Sequence, residues 1–260
     1  MGTARAVALT AAMTAASLVG IPLQWIALRT SASASRRIPW LYHRLLNRII
    51  GVRRTVVGTP AAGRPLLLLA NHVSWLDITV LSAVTPLSFV AKSEIAGWPV
   101  FGLFAKLQRS IFVERAKRQA TGGTTAEMAE RLSAGDVLVL FAEGTSSDHN
   151  RVLPFRTALL GATREALASE RHETIWLQPV SLAYTRWNGL PMGRVERPRV
   201  AWYGDMDLAP HLWRVLKDGW IDVVVAFGEP IAVDASADRK SLARTAEQEV
   251  RRMTLAAQRG

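Results

Sequence analysis

The 260-residue chain is long enough to bury a full core as one large domain, with or without an anchoring segment. It has no cysteine, which excludes disulfides, a thiolate nucleophile and Cys-ligated zinc or iron–sulfur centres. Its formal net charge of +11 is unevenly spread: residues 1–76 hold nine Arg and no acidic residue, and the remainder is close to neutral.

Arg5 and Arg29 enclose 23 uncharged residues, AVALTAAMTAASLVGIPLQWIAL. At about 1.5 Å per residue, a helix over residues 6–28 reaches across a ~30 Å hydrocarbon layer. Arg29, Arg36, Arg37, Arg44, Arg48, Arg53 and Arg54 follow, suited to anionic headgroups, and Trp25 and Trp40 suit a bilayer interface. Pro22 and Gln24 weaken a spanning helix. Two other readings stay open: a cleaved signal peptide with SASAS at 31–35 as its cleavage region, and a buried helix of a soluble protein. The cations flank an apolar run and no nucleic-acid-binding motif is present, so nucleic acid is not an expected partner.

Residues 38–50, IPWLYHRLLNRII, carry apolar groups at helical spacing with basic residues between them. They form either the second arm of an interfacial hairpin or an ordinary surface helix. GTPAAGR at 58–64 is turn-rich. From there strands are expected at 66–70, 87–91, 110–113, 137–141, 174–184 and 221–227. Helices are expected at 75–83, 101–107, 118–132, 157–168, 208–217 and 239–257. This repeated alternation implies an α/β fold whose strands deliver residues at their ends.

The stretch ANHVSWLD at 70–77 places His72 just past an apolar strand, and Asp77 is the first acidic residue of the chain. Within one helix the two would point about 140° apart. They meet if His72 ends the strand and Asp77 lies in the first turn of the next helix. Ser74-x-x-Asp77 has the form of a capping box, which supports that placement. It also supplies a plain reading, in which Asp77 only caps and His72 only bonds backbone. In the sharper reading His72 is a general base whose tautomer Asp77 fixes. No G-x-S-x-G elbow, H-E-x-x-H motif or second nearby His accompanies the pair, so neither a serine nucleophile nor a metal is indicated. A His–Asp pair without its own nucleophile implies that the substrate brings one, such as a hydroxyl.

Two further strand ends carry chemistry. IFVER at 111–115 ends in Glu114 and Arg115, and VLVLFAEGTSSD at 137–148 runs into Glu143, Gly144 and Thr145. Gly144 permits close backbone approach, exposed N–H groups there suit an anion, and Arg115 offers a forked donor to phosphate or carboxylate. Each alone is equally a strand end with a surface ion pair. Three at successive strand ends fall where open α/β folds gather ligands.

Taken in order, four stretches resemble the motifs of the glycerolipid acyltransferase family: His72-x-x-x-x-Asp77, Phe112-Val113-Glu114-Arg115, Phe141-Ala142-Glu143-Gly144-Thr145 and Gln178-Pro179-Val180-Ser181-Leu182. The resemblance covers about residues 65–185. It implies an α/β fold with a mixed central sheet flanked by helices and an N-terminal membrane-associated helix or hairpin. The implied division is a membrane-anchoring basic region at 1–57 and an acyltransferase domain at 58–260. The implied enzyme is an O-acyltransferase on the cytoplasmic face of the inner membrane, held through residues 6–28. It moves a fatty acyl group from acyl-carrier protein or coenzyme A thioester to the free hydroxyl of a lyso-lipid, with no bound cofactor or metal. By that resemblance His72 deprotonates the hydroxyl and Asp77 orients it. Arg115, Glu143, Gly144 and Thr145 match acceptor-binding motifs. Lys92, opening KSEIAGWPVFG at 92–102, falls in the thioester or oxyanion region.

The chain departs from the family pattern at four positions. Arg109 stands where the second motif often has Gly, Glu114 where Asp is usual, Ala142 where the third motif has Pro, and Gln178 where the fourth often has an apolar residue. The catalytic pair is untouched, and the changes fall on the acceptor side. The acceptor most expected is 1-acylglycerol-3-phosphate, giving phosphatidate. The alternative is lyso-ornithine lipid, because FAEGTSSD and AWYGDMDLAPHLW (201–213) resemble that subgroup. A thioesterase, with His72 activating water, and a non-enzymatic binder of anionic membrane are the remaining readings. His43, His149, His172 and His211 have no motif context and are expected to be structural or exposed. Phe155 and Arg156 either extend the acceptor pocket or pack as an ordinary core Phe and surface Arg.

Overall fold

The computed structural model of the chain describes residues 2–114, 120–168, 174–234 and 236–260. Two antiparallel helices open it, α1 (Gly2–Thr30) and α2 (Ala32–Ile50), joined at Ser31. Ser31 caps α2 by accepting from the Ala34 N–H at 3.2 Å. Gly51 closes α2 in the left-handed region (φ 91°), its N–H returning to the Asn47 carbonyl. The arms are joined by the Ser17 and Tyr42 hydroxyls at 2.7 Å and by Gln24, whose amide donates to the Ser35 and Leu107 carbonyls.

Next come β1 (Val52–Val57), β2 (Leu66–Ala70), α3 (Leu76–Ser82), β3 (Ser88–Lys92), α4 (Phe101–Leu107), β4 (Ile111–Val113), α5 (Ala120–Ser133) and β5 (Val137–Phe141). The chain continues through α6 (Gly161–Ala168), β6 (Ile175–Trp187), β7 (Leu190–Pro191), α7 (Leu208–Asp218), β8 (Ile221–Phe227), β9 (Ile231–Val233) and α8 (Arg239–Arg259). The sheet runs β1-β8-β6-β2-β5-β3-β4, with β7 and β9 on β6. It is mixed: β6, β2, β5, β3 and β4 are parallel neighbours, β1 is parallel to β8, and β8 is antiparallel to β6.

The unbroken Leu66–Ala70 run is what a parallel strand covered on both faces requires. Leu66, Leu68 and Ala70 face one core with α1, α2, α3 and α7; Leu67 and Leu69 face the other with α5 and α8. Each buried leucine contributes ~1.5–3 kcal/mol by leaving water. Three strands went unread in the sequence: β1, β7 and β9. β1 reads VRRTVV and sits at the sheet's edge, where two adjacent arginines break the apolar pattern and also blunt the exposed edge.

Pro179 lies within β6, in the gap between β9 pairing at 175–177 and β8 pairing from 180 onward. There its missing N–H leaves neither ladder a bond short. The departure at Gln178 has a structural use. Its side chain donates to the Thr59 and Gly228 carbonyls and accepts from the Ala61 N–H, tying the 58–64 turn to the sheet. Ala142 supplies an N–H to the Ala70 carbonyl at 3.2 Å, extending the β2–β5 ladder where a proline could not.

α1 is long and apolar enough to cross a membrane and only lightly covered by the rest of the chain. Leu18, Val19, Leu23, Trp25 and Ile26 are exposed along it. Its first cation is not at a free surface: Arg5 donates to the carbonyls of Leu216, Ile50 and Gly219, capping the C-terminal ends of α7 and α2. Arg29 lies over the Trp25 ring at 3.5 Å and Arg44 over the Trp40 ring at 4.7 Å.

Candidate active site

β2 and β5 are paired Ala70 to Phe141, and β2 and β6 are paired Ala70 to Val180. Residues just beyond Ala70 and Phe141 therefore emerge side by side. His72 lies two residues past the end of β2, and Glu143 two past the end of β5. Asn71 fixes this end of the sheet: its amide donates to the Leu182 carbonyl at 2.9 Å and its oxygen accepts from the Leu182 N–H at 2.8 Å.

Asp77 falls in the first turn of α3 and is wholly buried. Its Oδ2 accepts from His72 Nδ1 at 2.7 Å, from the Val73 N–H at 2.7 Å and from the Ser74 N–H at 2.9 Å. Its Oδ1 accepts from the Tyr184 hydroxyl at 2.6 Å. The expected capping box is thus half realised. The carboxylate reaches back to the Ser74 N–H, but the buried Ser74 Oγ makes no bond and Trp75 stands at the N-cap. Capping and holding His72 are done by the same oxygen.

With Nδ1–H donated to Asp77, a neutral His72 carries its lone pair on Nε2. The ring stacks on Phe141 at 4.0 Å between centroids and 16° between planes, and its side chain is 19% exposed. This arrangement can take a proton from a group approaching Nε2 and hold the resulting imidazolium against a buried carboxylate.

The third-motif loop folds back on His72, whose carbonyl accepts from the Ser147 N–H at 2.9 Å. Gly144 has φ 75°, the left-handed conformation this turn needs, and its N–H closes onto the Phe141 carbonyl. Glu143 lies buried beneath the loop and its carboxylate has no hydrogen bond of normal geometry. Burial pushes its carboxyl up to about 8, against the favourable backbone N–H groups of Leu153 and His72, and Asp77 adds to the rise. The protonated form of Glu143 is thereby favoured near neutral pH. Thr145 is exposed on the same loop.

Lys92 ends β3, exposed and level with Val113 of β4. Glu114 follows at the end of β4, three strands from β2, or about 14 Å at ~4.8 Å per strand. Arg115 and His172 lie outside the described residues. The segment after Lys92 returns toward the site: Trp98 meets Trp202 edge-on at 6.2 Å, and the Trp202 N–H donates to the Val73 carbonyl at 2.9 Å. Phe155 is buried with its N–H on Glu247, and exposed Arg156 returns its N–H to the Ala142 carbonyl at 2.8 Å.

Tyr184 is the residue the sequence reading missed. Its signal is the alternation Val180, Leu182, Tyr184 on one face of β6, visible only once the β2–β6 register is known. Burial and Asp77 hold its phenol well above the usual tyrosine value, so it stays protonated and donates. His149 backs it, edge-on at 5.6 Å, with Nε2 accepting from the Tyr184 N–H and the Gln258 amide. Burial pushes His149 down to about 4. His211 accepts from Trp75 Nε1 at 3.1 Å, and His43 pairs with Gln108 at 3.2 Å. His149 and His211 are buried and His43 is half-buried, each held in contacts away from His72.

An acyltransferase family model matches residues 53–183, which contain all four motifs. The chain is 53% identical over 251 residues, covering 96% of it and 94% of the relative, to a lyso-ornithine lipid O-acyltransferase of Brucella abortus. It is 34% identical over 197 residues, covering 75% of it and 72% of the relative, to a 1-acyl-sn-glycerol-3-phosphate acyltransferase of Neisseria gonorrhoeae. In fold it is similar to the crystal structure of the 1-acyl-sn-glycerophosphate acyltransferase PlsC of Thermotoga maritima, with a TM-score of 0.67, 19% identity and coverage of 98% of this chain and 97% of that one. The mixed sheet, the row of strand ends and the matched span converge: this chain belongs to the acyltransferase family.

Proposed function

We propose that the protein transfers a fatty acyl group from a thioester, carried on acyl-carrier protein or coenzyme A, to the free hydroxyl of lyso-ornithine lipid. One observation carries the acceptor: 53% identity across 94% of the Brucella abortus relative, against 34% across 72% of the Neisseria gonorrhoeae one. 1-Acylglycerol-3-phosphate, the acceptor most expected from the motifs, becomes the second choice.

The reaction rests on the His72–Asp77 pair. His72 Nε2 takes the proton of the acceptor hydroxyl as its oxygen attacks the thioester carbonyl. The tetrahedral intermediate collapses with loss of the thiolate, which recovers the proton from His72. Asp77 keeps Nδ1 protonated and steadies the imidazolium between the two steps. A positioned base of this kind contributes ~10²–10⁴-fold. Thr145, Gly144 and Arg115 meet the acceptor headgroup, with Glu143 supporting the loop from below, and Lys92 lies on the thioester side. α1 rests in the bilayer interface on the cytoplasmic face rather than crossing it. Arg5 is bonded into the body of the molecule, while the apolar residues from Leu18 to Ile26 remain exposed.

The test offers protein in vesicles equal amounts of lyso-ornithine lipid and 1-acylglycerol-3-phosphate, with each thioester in turn, and reads products by mass spectrometry. Ornithine lipid in at least tenfold excess over phosphatidate is expected. Preferential phosphatidate would reassign the acceptor, and free fatty acid alone would overturn acyl transfer to lipid.

A further inference from the structure

At the opposite pole of the sheet from His72, a cavity of about 220 Å³ opens between α2 and the N-terminal ends of β2, β3 and β5. Its wall includes Ser35, Arg36, Arg64, Ser88, Arg109 and Asp136. The five residues of β2 separate it from His72, about 17 Å at ~3.3 Å per residue, so it is no part of the candidate active site. It holds several times the ~30 Å³ share of one water, enough for a small anion.

The charges there do not balance. Arg36 Nε stands 2.9 Å from Asp136 Oδ1, and Arg109 forks onto both Asp136 oxygens at 2.8 and 3.4 Å. Arg131 also bonds Asp136 and donates to the Ser88 hydroxyl and the Arg109 carbonyl, both at 3.1 Å. Arg64 leans on the Ala61 and Gly63 carbonyls. Among the described contacts, three guanidiniums gather around one carboxylate, and the fourth, Arg64, stands on the cavity wall without a carboxylate partner. Burial, and for Arg109 the neighbouring Arg131, holds the Arg64 and Arg109 guanidiniums below their usual range.

The backbone adds a second, independent observation. Arg109 has φ 60°, in the left-handed region that glycine enters freely and other residues enter at a cost. This is the position where the second motif of the resembled family often carries glycine. The chain therefore keeps a long cationic side chain in a glycine conformation, and the side chain it keeps ends at the cavity.

We propose that this cavity binds a phosphate group, presented by an anionic phospholipid headgroup or by a soluble phosphate. Guanidinium forks match phosphate oxygens in geometry and charge, and a phosphate would supply the missing anion without displacing Asp136. The cavity lies beside the start of α2, at the hairpin tip where Arg29 and Arg37 are exposed, within reach of headgroups if α1 lies on a bilayer.

Arg109→Gly tests this cleanly, because it removes the guanidinium and relieves the backbone. Arg36→Gln is the second variant. Arg37→Gln, which takes the same charge from an exposed position of α2, is the control for general attraction. One arm measures melting of the full chain in phosphate against chloride at equal ionic strength. The other measures flotation with phosphatidylcholine vesicles with and without phosphatidylglycerol. We expect phosphate to raise the wild-type Tm by ~2–4 °C at about ten times its dissociation constant. Arg109→Gly and Arg36→Gln should lose that gain and Arg37→Gln should keep it. The same pattern in flotation alone would assign the site to lipid headgroups, and in melting alone to a soluble phosphate. If Arg37→Gln loses as much as the cavity variants, or no arm separates wild type from them, the proposal is wrong.

Discussion

Four hydrogen bonds converge on the Asp77 carboxylate, and their geometry decides what His72 can do. An amide at this position would turn a donor toward groups that already donate. Asp77→Asn is therefore expected to lower kcat by ~10²–10⁴-fold with KM little changed; near-normal turnover in a folded variant would count against the pair. Tyr184→Phe removes one bond to a buried charge, worth ~1.5–3 kcal/mol, and leaves Oδ1 unpaired. A kcat reduced by about tenfold or more, at unchanged KM, is the expected result; an unaltered kcat would make Tyr184 mere packing. Glu143 makes a prediction with a definite sign. A glutamate titrates near 4.3 in an unfolded chain and at about 8 in this fold, so the folded state holds its proton between those values. Its contribution to stability is complete below about pH 4.3 and is lost as pH rises through 8, with an upper bound of about 5 kcal/mol. Melting of the wild type should fall from pH 5 to pH 9 by more than that of Glu143→Gln. Parallel curves would show that the carboxyl is ionised throughout.

At the scale of elements, Asn71 is the clasp between β2 and β6. Asn71→Ala leaves the Leu182 N–H and carbonyl without their side-chain partner, at a cost of ~2–4 kcal/mol, and should lower Tm by ~5–10 °C in a thermal scan. No change would mean that water replaces the amide. The strands that carry the site were legible because a buried parallel strand must be a short, continuous apolar run, as LLLLA and VLVLF are. The His72–Asp77 contact was legible because five residues separate the two across a strand-to-helix turn. β1 was not, since an edge strand tolerates Arg53 and Arg54, and neither was Tyr184, whose meeting with Asp77 depends on register between segments 107 residues apart. Arg109 looked like a departure on the acceptor side. The fold instead sends it to the far pole, because it precedes β4 while Glu114 follows it.

Over the whole molecule, the basic N-terminal hairpin packs on the near-neutral body through α1 against α7 and α2 against α3. Leu18→Glu combined with Leu23→Glu places charge on two exposed apolar positions. It should move the protein from the membrane to the soluble fraction without lowering Tm; unchanged sedimentation would remove α1 from membrane attachment. The acceptor was less legible than the reaction for a physical reason. His72 and Asp77 act on a hydroxyl that every lyso-lipid acceptor carries, so the pair says little of the headgroup, and the preference for lyso-ornithine lipid rests on identity along nearly the whole chain. The role of His72 is tested most directly by the initial rate of ornithine lipid formation from lyso-ornithine lipid and acyl thioester, measured side by side for wild-type and His72→Ala protein of matched melting temperature. General-base catalysis by His72 predicts a rate in the wild type that falls by at least ~10²-fold in the variant. A folded His72→Ala protein that acylates the lipid at a comparable rate would contradict it.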